Sequence, residues 1–130
     1  MQTGLQIAFA IQFVIFGIAH LLRPEPLMQF FAVLRAKGDA GVVFIALMSV
    51  IMGSLVVGLH NVWSGIPVLL TIVGWAQLLK GTIYLLFPSV GLRQFERVTP
   101  ERTTQFRLPG IVLLVMAALL AWHLVTTHQA

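Results

Sequence analysis

The chain has no cysteine and few charged side chains, and each shortage excludes a class of protein. Without cysteine it can form no disulfide, no thiol nucleophile and no thiolate metal site. Only 9% of its 130 residues are charged, whereas a soluble domain carries about 25%. Because 58% of the residues are hydrophobic, a water-soluble fold would lack the polar side chains needed to cover its surface. Lipid is therefore the expected solvent of this single domain.

Acidic residues are the scarcest charged group, with four Asp and Glu against eight Lys and Arg, for a formal net charge of +4. A basic balance can indicate nucleic-acid binding. Here the basic residues are few and nearly all lie between apolar runs, where charges that orient a protein in a membrane are found. We therefore predict the lipid bilayer as a partner and no nucleic acid.

Four long apolar runs dominate the chain. Crossing about 30 Å of hydrocarbon takes about 20 helical residues, and each run approaches that length. The runs are too long and too continuously apolar for barrel strands, so helices are predicted. The runs are Gly4–Leu22, Ala40–His60, Gly65–Phe87 and Leu108–Val125. The predicted fold is all-α, a single transmembrane domain over residues 1–130 that forms an integral membrane four-helix bundle.

Seven of the eight basic residues lie in two connections between these runs. They are Arg23, Arg35 and Lys37 in the first connection, and Arg93, Arg97, Arg102 and Arg107 in the second. The positive-inside rule then places both connections in the cytoplasm. We expect a multi-pass protein of the cell inner membrane with both termini on the non-cytoplasmic side.

Both connections also carry apolar residues at helical spacing. These are Leu27, Phe30, Phe31 and Leu34 in the first connection, and Leu92, Phe95 and Val98 in the second. Polar residues occupy the other positions, a pattern typical of short amphipathic helices in the membrane interface. A docking surface for a partner is the alternative interpretation.

The chain partly matches itself after a shift of 64 residues. The matched pairs are Gly17 with Gly81, Pro24 with Pro88, Phe31 with Phe95 and, beyond a second loop that is about five residues longer, Gly41 with Gly110. Two helical hairpins, within residues 1–60 and 65–128, are thus predicted to be related by a parallel repeat whose axis runs along the membrane normal. The alternative is that two unrelated hairpins share the same turn chemistry.

The second half also resembles a known group of proteins. Lys80-Gly81, then Leu85-Leu86-Phe87-Pro88, then Arg107-Leu108-Pro109-Gly110 lead into the last apolar run. This pattern resembles the YjeT-like small bacterial inner-membrane proteins, which have about half this length and no established function. The resemblance covers roughly residues 80–122, and Lys80 stands where that group has an acidic residue. It implies a membrane location and no catalytic residue.

Lys80 is the one charge inside an apolar run. A lysine at mid-bilayer costs about 2.5–3.5 kcal/mol on insertion scales. Either its stem reaches towards the interface, or the ammonium lines a cavity and meets an anion. No Asp or Glu lies inside any of the four runs to act as its partner.

Lys80 belongs to a polar stripe on the third predicted helix. Gln77, Lys80, Gly81 and Tyr84 follow the spacing that places residues on one helix face. His20 stands where Tyr84 does in the first half, and Gln6 and Gln12 are further polar residues of the first helix. The candidate ligand-binding residues are Lys80, Gln77, Tyr84, His20 and Gln12. Plain hydrogen bonding between helices is the alternative role.

Two histidines and three pairs of small residues complete the candidates. His60 and His123 fall near equivalent ends of their helices, so they are candidate ligands of a haem or a metal. The small residues are spaced four apart, which permits close helix approach. These pairs are Ser49 and Gly53, Ser54 and Gly58, and Ala117 and Ala121.

No motif of an enzyme is present: the chain has no phosphate-binding glycine loop, no HExxH and no serine-centred elbow. An enzyme is therefore not the favoured class, and no cofactor is expected outside the haem hypothesis. The favoured function is a non-catalytic membrane component that acts as a homo-oligomer or as a subunit of a larger complex. The alternatives are a transporter or channel for a small solute, anions included, and a haem-bearing electron-transfer subunit.

Overall fold

The computed structural model describes residues 2–99 and 102–128, and these residues form six α-helices. In chain order they are α1 (Gln2–Leu22), α2 (Pro24–Ala36), α3 (Asp39–Leu59), α4 (Val68–Leu86), α5 (Pro88–Glu96) and α6 (Thr103–His128). Four of them, α1, α3, α4 and α6, are long and apolar enough to cross a membrane. The all-α prediction is confirmed over the described residues.

The helix ends differ from the apolar runs where turn chemistry or polar residues intervene. α4 begins at Val68, because Gly65 has a positive φ of 69° and Pro67 caps the helix start. α6 begins at Thr103, five residues before the apolar run, and continues through Pro109. The hydropathy of the sequence locates only the apolar part of a helix. The helix α6 extends beyond its apolar run into polar residues.

The four long helices pack as two pairs, α1 with α6 and α3 with α4, and the pairs contact each other only sparsely. Glycine brings the backbones of each pair together. A Cβ added to Gly17 of α1 would lie 3.0 Å from the Gly110 carbonyl oxygen of α6. A Cβ added to Gly81 of α4 would lie 2.8 Å from the Ala46 carbonyl oxygen of α3. Each pair is thus a close-packed unit made of one helix from each half of the chain.

The short helices α2 and α5 close one end of the bundle, which we call the proline end because Pro24 and Pro88 begin these helices there. A proline in the first turn costs little, since that amide has no helical partner. The rings of Phe31 and Phe95 meet edge to face with centroids 5.5 Å apart. The opposite end, where α3 terminates in His60, is called the histidine end.

Only some of the small-residue pairs lie at helix contacts. Ser49 and Gly53 are buried, and Gly53 faces the α4 backbone. Ser54 and Gly58 are exposed on α3, with open space around Gly58. Ala117 is buried, whereas Ala121 is exposed.

The outside of the bundle is apolar, as a lipid-facing surface would be. Large side chains along the long helices are exposed there, among them Leu22 at 66%, Leu79 at 63%, Leu86 at 68% and Trp122 at 66%. The small core lies within and between the pairs, around Phe9, Val56, Leu70 and Leu120.

Candidate functional site

Two adjoining pockets lie between the helix pairs. The phenylalanine pocket has a volume of about 250 Å³ and is lined by Phe9, Gln12, Phe13, Phe16, Gln77 and Leu113, among others. The lysine pocket has a volume of about 520 Å³ and is lined by Phe31, Lys80, Tyr84, Gln94, Phe95 and Phe106, among others. His20, Met48 and Ser49 line both pockets. The lysine pocket adjoins the proline end, and the phenylalanine pocket extends from it towards the histidine end.

All five predicted ligand-binding residues line these pockets. Gln12 and Gln77 lie in the phenylalanine pocket, Lys80 and Tyr84 in the lysine pocket, and His20 in both. They come from α1 and α4, which belong to different pairs, so the site exists only where the pairs meet. Met48 and Ser49 add a third helix, α3, to the lining.

Lys80 is half-buried on α4, and no carboxylate belongs to the lining of either pocket. The carboxylates of the chain lie in its connections and at the start of α3. An ammonium group removed from water is costly unless an opposite charge or several hydrogen bonds compensate it. Lys80 thus brings to the lysine pocket a positive charge that no lining carboxylate offsets among the described residues.

His20 adds a polar group with a defined tautomer. Its Nδ1 lies 2.7 Å from the Phe16 carbonyl oxygen. Because a carbonyl oxygen only accepts, Nδ1 must carry the proton, which leaves Nε2 as the acceptor of the neutral ring. The ring stacks on Phe106 with centroids 4.9 Å apart. His20 is thus held by α6 at the boundary between the two pockets.

A buried hydrogen-bond network lies at the histidine end and joins the two helix pairs. Gln6 Nε2 of α1 is 2.9 Å from His60 Nε2. An amide nitrogen only donates, so His60 Nε2 accepts and its proton lies on Nδ1. That proton is donated to Thr71 Oγ1 of α4 at 3.2 Å. Gln6, His60 and Thr71 are almost fully buried, and their relative exposures are 6%, 0% and 0%.

Thr71 also holds the connection between α3 and α4. Its hydroxyl lies 2.7 Å from the Val62 carbonyl oxygen, to which it donates, and accepts from the Val62 amide at 3.1 Å. Among the described residues every buried side-chain nitrogen and oxygen has a partner. We call the set of Gln6, His60 and Thr71 the histidine latch, because its hydrogen bonds join the two pairs at this end.

The latch bears directly on the haem hypothesis for His60 and His123. An axial ligand needs a free ring nitrogen, and both nitrogens of His60 are already engaged by Gln6 and Thr71. His123 is half-buried on α6. Over the described residues, no three or more His, Asp or Glu side chains are grouped as a metal would require. The described residues do not fit a haem.

The role of His60 and the phenylalanine lining were not foreseen from the sequence. His60 is the last residue of an apolar run, a position shared by many histidines at a membrane interface. Its partners Gln6 and Thr71 lie 54 residues before it and 11 residues after it. The sequence does show a polar residue near the same end of three helices. That pattern does not predict which of these helices are adjacent, so it does not predict the hydrogen bonds of His60.

Over its described residues the protein is all-helical, with four helices able to cross a membrane and two adjoining pockets between two helix pairs. In comparisons with protein-family models, curated proteins and solved structures, no match to the chain was found. The resemblance of residues 80–122 to the YjeT-like proteins therefore stays a prediction.

Proposed function

We propose that this is an integral membrane protein that binds a small organic anion between its two helix pairs and carries it across the bilayer. The observation that supports the proposal most strongly is Lys80, a half-buried cation in a pocket lined by no carboxylate. A lysine at the centre of a membrane-spanning helix costs about 2.5–3.5 kcal/mol on insertion scales, and Lys80 lies within α4, one of the four helices able to cross a membrane. A bound anion would offset that free-energy cost by pairing with the ammonium group of Lys80.

The arrangement of the helices supports transport rather than storage of the anion. Each pair is closely packed within itself, whereas the contacts between pairs are sparse. The histidine latch closes one end of the interface, and Phe31 with Phe95 closes the other. Many secondary transporters expose a site to each side of the membrane in turn by rocking one rigid unit against another around that site.

A parallel internal duplication accompanies this proposal. Gly17 contacts Gly110, and Gly81 contacts Ala46. Gly17 and Gly81 are 64 residues apart, and so are Ala46 and Gly110. These two contacts support a two-fold operation that would relate the halves, and the ring contact between Phe31 and Phe95, which are equivalent in the proposed repeat, is one that residues on its axis would make.

The contacts give a different register for the second helix of each half. Gly110 occupies the position of Ala46, whereas the sequence comparison set it beside Gly41. Gly41 instead contacts the backbone of Leu34 in α2. These contacts favour a single shift of 64 residues over the whole proposed repeat, without the longer second loop.

The orientation in the inner membrane is tested by labelling, which is simple because the chain has no cysteine. Ser64 and Ser89 are exposed and lie at opposite ends of the bundle. With both long connections in the cytoplasm, a Ser64→Cys variant is expected to react with a membrane-impermeant maleimide on intact cells whose outer membrane is permeabilised. A Ser89→Cys variant is expected to react only after the inner membrane is opened. The reverse pattern would invert the proposed topology.

The anion site is tested with the two lysines of the chain. Benzoate uptake into liposomes containing the purified protein is the assay. Lys80→Met removes the charge at similar length, and we expect uptake at limiting benzoate to fall about 10- to 100-fold, because a hydrogen bond to a charged group contributes about 1.5–3 kcal/mol. Lys80→Arg is expected to retain part of the uptake.

Lys37→Met is the matched control, because Lys37 is the other lysine and is exposed beyond the end of α2. Its uptake should equal that of the unchanged protein. Equal uptake by Lys80→Met would mean that Lys80 only extends towards the interface. Saturable binding without uptake would reduce the proposal to an anion-binding protein.

A second candidate function is that of a non-catalytic component of a homo-oligomer or a larger membrane complex. One observation favours it: Ser54 and Gly58 form a small-residue face that is exposed on α3, with open space around Gly58. Such faces permit close approach of a helix from another chain. The two functions are compatible, since a carrier can work as an oligomer.

A further inference from the structure

We propose that the ligand of the paired pockets is an amphiphilic carboxylate, with its single negative charge at Lys80 and its apolar body in the phenylalanine pocket. This inference rests on the proposed anion site and adds the chemical class of the anion. It is carried by the different linings of two pockets that share His20, Met48 and Ser49.

The charge of the ligand follows from the charges of the lining. Lys80 is the one charged side chain among the residues that line the two pockets. A dianion such as phosphate would leave a second charge buried without a partner, which is costly. Phosphate sites also favour the forked donors of arginine, and every arginine of the chain lies outside the two linings. A monoanion matches this site.

The hydrogen-bonding groups near the charge suit a carboxylate. Tyr84 and Gln94 line the same pocket as Lys80. Tyr84 and Gln94 carry donors, and a carboxylate has two oxygens that accept about four hydrogen bonds. Lysine is a compact point charge, so it pairs with one carboxylate without the planar match that arginine requires.

The body of the ligand follows from the phenylalanine pocket. Three phenylalanines, two methionines and a leucine line it, with Gln12, Ser49, Gln77 and His20 as the polar members. Methionine adapts to irregular apolar surfaces. Phe9 and His20 are eleven residues apart on α1, or about 16 Å along the helix. The space is therefore elongated and largely apolar, which fits a chain better than a compact hydrophilic acid.

The two pockets set the direction of such a ligand. Its carboxylate would lie towards the proline end, and its body would point towards the histidine latch. Two sources supply this chemistry: a single-chain carboxylic acid dissolved in the bilayer, and a water-soluble acid with an aromatic body. Both have the same charge and an apolar body, and they differ in length.

The test measures binding to the full chain in nanodiscs, with empty nanodiscs subtracted. The probes are acetate, hexanoate, decanoate and 3-phenylpropanoate, with decanol as the uncharged analogue. We expect affinity to rise about fourfold for each methylene that enters the pocket, and decanoate to bind far more tightly than acetate. Lys80→Met should weaken decanoate at least tenfold and leave decanol unchanged.

A second variant tests the pocket separately from the charge. Phe16 lines the phenylalanine pocket and is half exposed, so Phe16→Ala should leave the fold intact. It is expected to weaken decanoate several-fold and acetate not at all. Ile18→Ala is the matched control, because Ile18 is exposed on the same helix and belongs to neither pocket lining.

The outcomes separate this inference from the proposed function. If acetate binds as tightly as decanoate and Lys80→Met abolishes both, the anion site stands and the amphiphile is overturned. If no carboxylate binds, or if Lys80→Met changes nothing, the anion site itself fails. Tighter binding of decanoate than of 3-phenylpropanoate identifies the membrane-dissolved acid, and the reverse order identifies the aromatic acid.

Discussion

Replacing Gly53 with valine is expected to force α3 and α4 apart and to lower the free energy of unfolding in detergent by about 3 kcal/mol, the upper end of the usual cost of overpacking. A Cβ at this position would lie 2.5 Å from the Leu78 amide nitrogen and 2.8 Å from the Gly74 carbonyl oxygen. Both are backbone atoms, so no side-chain rotation relieves the contact. Thermal unfolding followed by circular dichroism measures the loss.

The effect should be large because of what holds helices together in lipid. Between apolar helices surrounded by apolar lipid tails, the hydrophobic effect contributes little, and association depends on close packing of the backbones. Gly53 and Gly74 provide that packing for one of the two helix pairs. Separation of this pair also moves Lys80, which α4 carries, away from the α1 side of the pocket, so benzoate uptake should fall with stability.

Gly58→Val is the matched control, because Gly58 lies on the same helix and a Cβ there has no neighbour within 4 Å. The unfolding of the single chain should not change. Equal destabilisation at both positions would contradict the close α3–α4 contact. The mass of the protein in mild detergent tests the oligomeric state separately. If the exposed face of Ser54 and Gly58 joins protomers, Gly58→Val should disrupt the oligomer and lower the measured mass.

The positions of the long helices could be predicted from the sequence, whereas the pairs in which these helices pack could not. Hydropathy and length are properties of single segments, and they located the four long helices. The pairing of α1 with α6 and of α3 with α4 depends on contacts between distant residues, such as Gly17 with Gly110. Three small-residue pairs looked alike in the sequence, yet Ser49 with Gly53 is buried whereas Ser54 with Gly58 is exposed.

The same distinction applies to the candidate site. The spacing of Gln77, Lys80 and Tyr84 placed them on one face of a helix, and a polar face in a membrane turns inward. The spacing alone does not show which helix lies opposite; the repeat, which sets His20 at the position of Tyr84, indicated α1, and Gln12 and His20 of α1 do line the pockets. Nor could the spacing distinguish His60, which is locked between Gln6 and Thr71, from a histidine that is free to bind a metal.

Lowering the pH below about 6.5, the ordinary pKa of histidine, is expected to destabilise the bundle through His60. Burial lowers the pKa of His60 below its usual value, because the imidazolium would lose its hydration, and this effect outweighs the hydrogen bond to its own backbone, which raises the pKa. The folded protein therefore keeps His60 neutral at a pH where the unfolded chain already binds a proton.

The direction of this pH dependence follows from the number of protons that the folded and unfolded states bind. Stability rises with pH wherever the unfolded state binds more protons than the folded state. The contribution of neutral His60 is thus complete above about pH 6.5 and declines below it, by up to about 1.4 kcal/mol per pH unit until the folded protein is protonated as well. The side chains that hydrogen-bond to the His60 ring are Gln6 and Thr71, and neither titrates to compensate the new charge.

Thermal unfolding between pH 8 and pH 5 measures this slope, with histidine variants as controls. His60→Gln is expected to remove the slope, because its amide can still bond to Gln6 and Thr71 but does not titrate. His123→Gln, at the same end of the bundle, should retain it. A slope that survives in His60→Gln would assign the pH dependence to another group. Since His60 joins α3 and α4 to α1, its protonation should weaken the contact between the pairs and leave Gly53 and Gly17 holding each pair together.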